Sequence, residues 1–134
     1  MNNIIIDTDV ISYLFKGDTR GDLYAPHLED RLGVISFMTL AELDYWAALH
    51  KWGQRKRNEL ALFLQPYIVI ESDRELCRMW AEVRHQVQRS GYKIETADAW
   101  IAAAALLHNI PLVTHNRGHF VQVSGLTIIS EAPA

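Results

Sequence analysis

One cysteine in 134 residues, Cys77, leaves no disulfide framework to build and excludes the stapled architectures of small secreted domains. A reducing cytosol is therefore the expected compartment. No apolar stretch approaches the roughly 20 residues that a membrane-crossing helix requires, and the longest, Trp100 to Leu107, falls far short of that. At the start, Met1-Asn2-Asn3 leads straight into a strand-like run, so no export signal and no membrane association are expected. Internal repeats, low-complexity tracts and Ser/Gly/Pro-rich linkers are also missing, which predicts one domain over residues 1–134. Excess positive charge is missing too: 13 Lys and Arg against 16 Asp and Glu give a net charge of −3, so any nucleic acid must be held by a local patch. What remains is an ordinary globular balance, 49% hydrophobic and 22% charged, which argues against disorder. A chain of this size buries about two thirds of its unfolded surface and needs no metal merely to fold.

Short apolar, β-branched runs alternate with longer helical patterns, the order expected of stacked βαβ units around a parallel sheet. Strands are predicted at Ile4–Ile6, Val34–Ser36, Tyr67–Ile70, Pro111–Thr114 and Leu126–Ile129, each a continuous apolar run of the kind buried on both faces. Helices are predicted at Val10–Phe15, stopped by Gly17 and the polar stretch Asp18–Asp22, then at Thr39–Lys51, Gln54–Phe63, Asp73–Gln88 and Thr96–His108. The last carries four consecutive alanines, Ala102–Ala105, which would let it approach the sheet closely.

Three carboxylates stand out by position. Asp7 closes the isoleucine run of the first strand, Glu42 lies in the first turn of the helix after the second, and Asp98 lies in the first turn of the alanine-rich helix. Ligands of open parallel sheets bind beyond the carboxyl ends of the strands, where all three are expected. Carboxylates crowded there repel one another unless a cation neutralises them, and an oxygen-only site suits Mg²⁺ or Mn²⁺. Each has a plainer alternative. Thr39-Leu40-Ala41-Glu42 fits a capping box, Asp98 follows a Thr96 cap and complements the helix dipole, and Asp7 fits an Asx turn.

Four segments in order carry a resemblance: Ile4-Ile5-Ile6-Asp7-Thr8-Asp9-Val10-Ile11-Ser12, Ile35-Ser36-Phe37-Met38-Thr39-Leu40-Ala41-Glu42-Leu43, Thr96-Ala97-Asp98-Ala99-Trp100-Ile101-Ala102-Ala103 and Leu112-Val113-Thr114-His115-Asn116-Arg117-Gly118-His119-Phe120. Together they resemble PIN-domain proteins, in particular the VapC-type ribonuclease toxins of bacterial toxin–antitoxin pairs. The resemblance implies an α/β fold, a three-layer α/β/α sandwich with a central parallel sheet. It also implies Mg²⁺-dependent endoribonuclease activity with Mn²⁺ as a substitute, a cognate antitoxin and a homodimer. It carries the metal site onto Asp7, Glu42 and Asp98, with Asn116 as the fourth catalytic position. There the chain departs from the pattern, since many members have an acid where His119 stands and Asp9 occupies a position that is often Asn. An Asn carbonyl still coordinates a cation, whereas imidazole is a borderline ligand for Mg²⁺, which puts a second ion in question. Thr114 and Ser36 are either hydroxyls that orient the carboxylates or ordinary strand-end and cap hydroxyls.

In this mechanism Asp7 and Asp98 hold the ion, Glu42 ligates it or positions the attacking water, and an RNA phosphodiester is hydrolysed. Arg117, in the loop at the active edge, and Lys93 are candidate RNA contacts, while Lys51, Arg55, Lys56 and Arg57 read as a solvated helix face. Tyr45, Trp46 and Trp80 are expected in the core or against a partner, and an apolar groove between the early helices would suit an amphipathic antitoxin segment. Two other readings compete. A PIN-like module could retain the fold and a partner while having lost cleavage, which metal binding without RNA cleavage would reveal. Asp7-Thr8-Asp9-Val10 also fits the opening of haloacid-dehalogenase-like phosphatases, although the later acidic pair and positioned lysine of that family are not found.

Overall fold

A computed structural model describes residues 2–133. Its sheet runs through β1 (Asn3–Ile6), β2 (Leu32–Ser36), β3 (Ile68–Ile70), β4 (Leu112–Val113) and β5 (Ile128–Ile129). The strands lie in the order β3-β2-β1-β4-β5 with every pairing parallel. Helices α1 (Thr8–Lys16), α2 (Thr19–Asp22), α3 (Ala25–Leu28), α4 (Phe37–Leu49), α5 (Gln54–Leu64), α6 (Arg74–Arg89) and α7 (Thr96–Leu107) cover its two faces. This is the predicted α/β/α sandwich with its central parallel sheet.

The isoleucines of β1 show why the run is continuous rather than alternating. Ile5 faces a core with α6 and α7, while Ile4 and Ile6 face a second core with Val10, Ile11, Leu43 and Leu60. A strand covered on both sides has no polar face to offer. The edge strands β3 and β5 are only partly buried, and β4 and β5 are shorter than the sequence predicts. Ala99 and Ala102–Ala105 of α7 are all buried, so the alanine stripe does bring that helix close to its neighbours. Close approach also explains Gly33, where an added Cβ would sit 2.7 Å from the ring of Tyr67.

Three local expectations change. Helix α4 starts at Phe37 instead of Thr39, because the Ser36 hydroxyl accepts from the Met38 N–H at 3.0 Å and caps it there. The Thr39–Glu42 capping box therefore does not form, and Glu42 falls in the second turn. Likewise Thr96 is the first residue of α7 rather than its cap, which is Glu95 without a capping side chain. Finally, Asp18–Asp22 is not an irregular stop: Asp18 caps α2 by accepting from the Arg20 N–H at 2.9 Å and also pairs with its guanidinium.

The chain runs outward from β1 to β3 and then crosses back to β4 on the other side of β1. The order reverses between β1 and β4. In such sheets a crevice opens there, beyond the carboxyl ends of the strands.

Candidate active site

Asp7 stands at that reversal, as the last residue before α1 and its N-cap. It is only 5% exposed. One carboxylate oxygen, Oδ1, accepts from the Thr8 N–H at 2.8 Å, and Oδ2 accepts from the Thr114 hydroxyl, just past β4, at 2.7 Å. Since that hydroxyl gives its one proton to Asp7, it is free to accept from the Asn116 N–H at 3.0 Å. A second relay runs on the other side. The Thr8 hydroxyl donates to Glu42 Oε1 at 2.7 Å, so its contact with the Thr39 hydroxyl at 2.9 Å is one in which Thr39 donates. Asp9 closes the group from below: Oδ1 accepts from the Val10 N–H, and Oδ2 from the His115 N–H at 3.2 Å and from Asn116 Nδ2 at 3.0 Å. Asp98 projects from the first turn of α7, with Oδ2 facing His119 Nδ1 at 3.1 Å.

Asp7, Thr8, Asp9, Glu42, Asp98, Asn116 and His119 line one cavity of about 390 Å³, together with Trp46. Burial pushes the Asp7 carboxyl up to about 7, and the nearby Asp9 and Glu42 charges push the same way against the opposing bonds from Thr114 and Thr8. Asp98 is raised to about 6, again by burial first, then by Asp7, with His119 pulling it down. Asp9 is raised by burial too. The site therefore holds protons that isolated carboxylates would have released.

Such a cluster carries more negative charge than its surroundings solvate, and its donors are oxygens held in place by hydroxyl and amide hydrogens. Among the described residues no three Asp, Glu, His or Cys side chains are already gathered closely enough to hold an ion. Asp7, Asp9 and Glu42 are each turned onto a protein donor instead. The donor chemistry nonetheless fits a hard divalent cation, with Asp7, Glu42 and Asp98 as carboxylate ligands and Asn116 as a carbonyl ligand. His119 adds a nitrogen at the rim.

The fold thus brings together Asp7, Glu42, Asp98 and Asn116, which sequence reasoning singled out, along with Asp9 and His119. It separates others from them. Ser36 caps α4 and makes no bond to the carboxylates. Arg117 follows Asn116 in an exposed 3-10 turn (Arg117–His119) and lies outside the cavity lining. Lys93 lines a neighbouring groove. In the basic cluster, Arg57 Nε donates to the Trp52 carbonyl at 3.0 Å, Lys56 Nζ sits 4.2 Å from the Trp52 ring centre, and Arg55 pairs with Glu59 at 3.6 Å. None of these reaches the acidic cavity.

Sequence reasoning missed Thr8 and Thr39, which position Glu42. The cap reading of Ser36, which the sequence left open, is the one the fold adopts, and it frees Thr39 for that role. It also missed Tyr24, a wholly buried residue between α2 and α3 whose hydroxyl lies 2.6 Å from His115 Nδ1 and accepts from the Glu131 N–H at 3.0 Å. No local pattern signals a junction between segments so far apart in the chain.

A carboxylate-lined, oxygen-donor site at the switch point of a parallel α/β/α sheet defines the class. Within it, the chain belongs to the PIN domain family, whose model matches residues 4–126. It is 31% identical to the VapC ribonuclease Y4jK of Sinorhizobium fredii, over 95% of this chain and 96% of that protein. To the ribonuclease VapC1 of Haemophilus influenzae strain R2866 it is 29% identical, over 91% and 92%. Among solved structures, FitAcB from Neisseria gonorrhoeae superposes with a TM-score of 0.77 at 26% identity, covering 95% of this chain and 96% of that one. VapBC2 from Rickettsia felis, bound to a DNA fragment from their promoter, gives 0.83 at 23% identity, over 96% and 98%, a likeness of fold alone.

Proposed function

We propose that residues 1–134 act as one PIN-like domain, a divalent-metal-dependent endoribonuclease that serves as the toxin of a toxin–antitoxin pair in the cytoplasm. The observation that carries this is the convergence of Asp7, Glu42 and Asp98 on one cavity at the sheet's switch point. Relatives that align over nine tenths or more of both chains are ribonucleases by name. Among the described residues no helix is long and apolar enough to cross a membrane.

Asp7, Glu42 and Asp98 would hold Mg²⁺, or Mn²⁺ in its place, with Asn116 contributing its carbonyl. When bound, the ion supplies Lewis-acid polarisation of the phosphodiester and lowers the pKa of water. The chain's own residues do the rest. Thr114 and the Thr8 N–H fix the Asp7 carboxylate, and the Thr39–Thr8 relay fixes one oxygen of Glu42, leaving the other to take a proton from an attacking water. Arg117 flanks this centre and would contact RNA phosphate. On α4, Tyr45 and Leu49 are 62% and 56% exposed, and Leu23 beyond α2 is 47% exposed. These are the apolar residues that a cognate antitoxin or a homodimer partner would cover. The haloacid-dehalogenase-like alternative is set aside by the family match.

The deciding experiment is Mg²⁺- or Mn²⁺-dependent cleavage of total cellular RNA by the purified chain, beside Asp7→Asn and an EDTA control. Discrete fragments that vanish in both controls are expected. A folded, metal-loaded, antitoxin-free protein that cuts nothing would instead be a binding module that keeps the fold.

A further inference from the structure

Beside the acidic cavity lies a second opening of about 540 Å³ that shares Glu95 and Thr96 with it. Its other walls include Arg84 and Gln88 of α6 and Tyr92 and Lys93 of the loop between α6 and α7. That loop is fixed at both ends. Gly91, at φ +87°, turns the chain off the end of α6, its N–H bonding to the Gln88 carbonyl at 2.9 Å, while the Tyr92 N–H bonds to the Val87 carbonyl at 3.1 Å. Two residues later Ile94 is buried in the core with α6 and α7. Tyr92 is thereby held 53% exposed and Lys93 exposed on a short, anchored segment. Arg84 is fixed as well: one guanidinium nitrogen donates to the Thr96 hydroxyl at 3.1 Å, and the group lies 5.2 Å from the ring centre of Trp80, which stacks on Trp100. A guanidinium anchored through one nitrogen keeps further N–H donors for an anion. In a chain of net charge −3, two cations and an unstacked aromatic ring adjoining a carboxylate cluster are a local reversal of charge.

Given the nuclease activity proposed above, we propose that this groove is the subsite for single-stranded RNA flanking the scissile phosphate. Arg84 and Lys93 bind backbone phosphates, and Tyr92 stacks an unpaired base.

The test uses the full chain carrying Asp7→Asn, which binds without cutting, and a short fluorescein-labelled single-stranded oligoribonucleotide of mixed sequence in magnesium buffer. Binding is followed by anisotropy across a salt series. Adding Lys93→Ala is expected to weaken binding at low salt and make the slope of log K against log salt shallower by about 0.7, the value for one phosphate contact on a single strand. Adding Arg84→Ala to that is expected to take off about as much again. Tyr92→Ala is expected to weaken binding roughly tenfold with the slope unchanged, since stacking releases no counterions. Lys93 forms no ion pair among the described residues, so its variant tests the groove even if Arg84→Ala loosens the packing of α6 on α7. RNA binding with unaltered affinity and slope in the Lys93→Ala and Tyr92→Ala proteins overturns the subsite while leaving the nuclease in place. A parent that binds no RNA, beside a native chain that cuts none, overturns both.

Discussion

The two ends of the parallel sheet differ less in space than in what they hold. At the amino end a cavity of about 330 Å³ opens between Asn2, Asn3, Arg31, Asn109, Pro111 and Thr127, close in size to the 390 Å³ acidic cavity at the carboxyl end. Yet the buried polar side chains are Asp7, Thr8, Ser12, Ser36, Thr39 and Thr114, and all but Ser12 border the carboxyl ends of β1, β2 and β4. Burying a polar group costs free energy unless it is bonded, so five in one region, among the described residues, mark where the fold has given up stability for chemistry. Volume alone would not tell the two ends apart.

Substitutions sharpen this contrast. The largest effect is expected from Asp7→Asn, which should reduce RNA cleavage by several orders of magnitude while the metal-free protein unfolds at a higher temperature than the parent, because one buried like charge is gone. Cleavage at parental rate would break the assignment of the carboxyl end. Next, Thr114→Val removes the hydroxyl bonded to Asp7 and should cut divalent-ion affinity or activity roughly 10- to 100-fold. The matched change at the amino end, Thr127→Val, sits in an exposed position there and should leave cleavage unaltered. Gly33→Ala, away from the acids, forces Tyr67 aside and should cost about 1–3 kcal/mol of stability by chemical denaturation, with cleavage per folded molecule retained.

A subtler effect concerns pH. The folded Asp7 carboxyl is raised from 3.8 to about 7, and Asp98 from 3.8 to about 6, so over that range the folded state binds more protons than the unfolded one. Stability of the metal-free chain should therefore be fullest below pH 4 as far as these groups are concerned, and should fall as pH rises toward 7. Thermal melts in EDTA across this window check the sign, and Asp7→Asn should flatten the slope. Smallest of all, Lys56→Ala at the Trp52 corner should move stability by no more than about 0.5 kcal/mol and leave cleavage intact.

Much of the site could be read from the sequence because strand ends are legible there. Asp7 closes an isoleucine run, and Asp98 opens an alanine-rich helix, so both could be placed without knowing the sheet order. Glu42 was placed at the right edge but with the wrong neighbour. Its apparent partner Thr39 is a residue inside α4 that donates to Thr8, because a serine three residues before the expected helix start caps the helix instead. Residues 18–28 were illegible for a different reason. Two helices of four residues each have too few turns to show periodicity, and Tyr24 gains its role only from contacts with His115 and Glu131.

The bond between Thr114 and Asp7 spans 107 residues. A ribosome therefore delivers this carboxylate well before the hydroxyl that orients it, which follows only after β2, β3, β4 and all seven helices α1–α7 have been made. Pairings of such long range close slowly, and during synthesis the acids stay unassembled beside the messenger being read. On stalled nascent chains, protection of Asp7 from carboxyl-modifying reagents should appear only once residue 114 has cleared the exit tunnel. Earlier protection would show that the first half of the fold suffices. The connectivity of the sheet thus makes the site a late product of synthesis, since its first carboxylate waits for a hydroxyl 107 residues further along the chain.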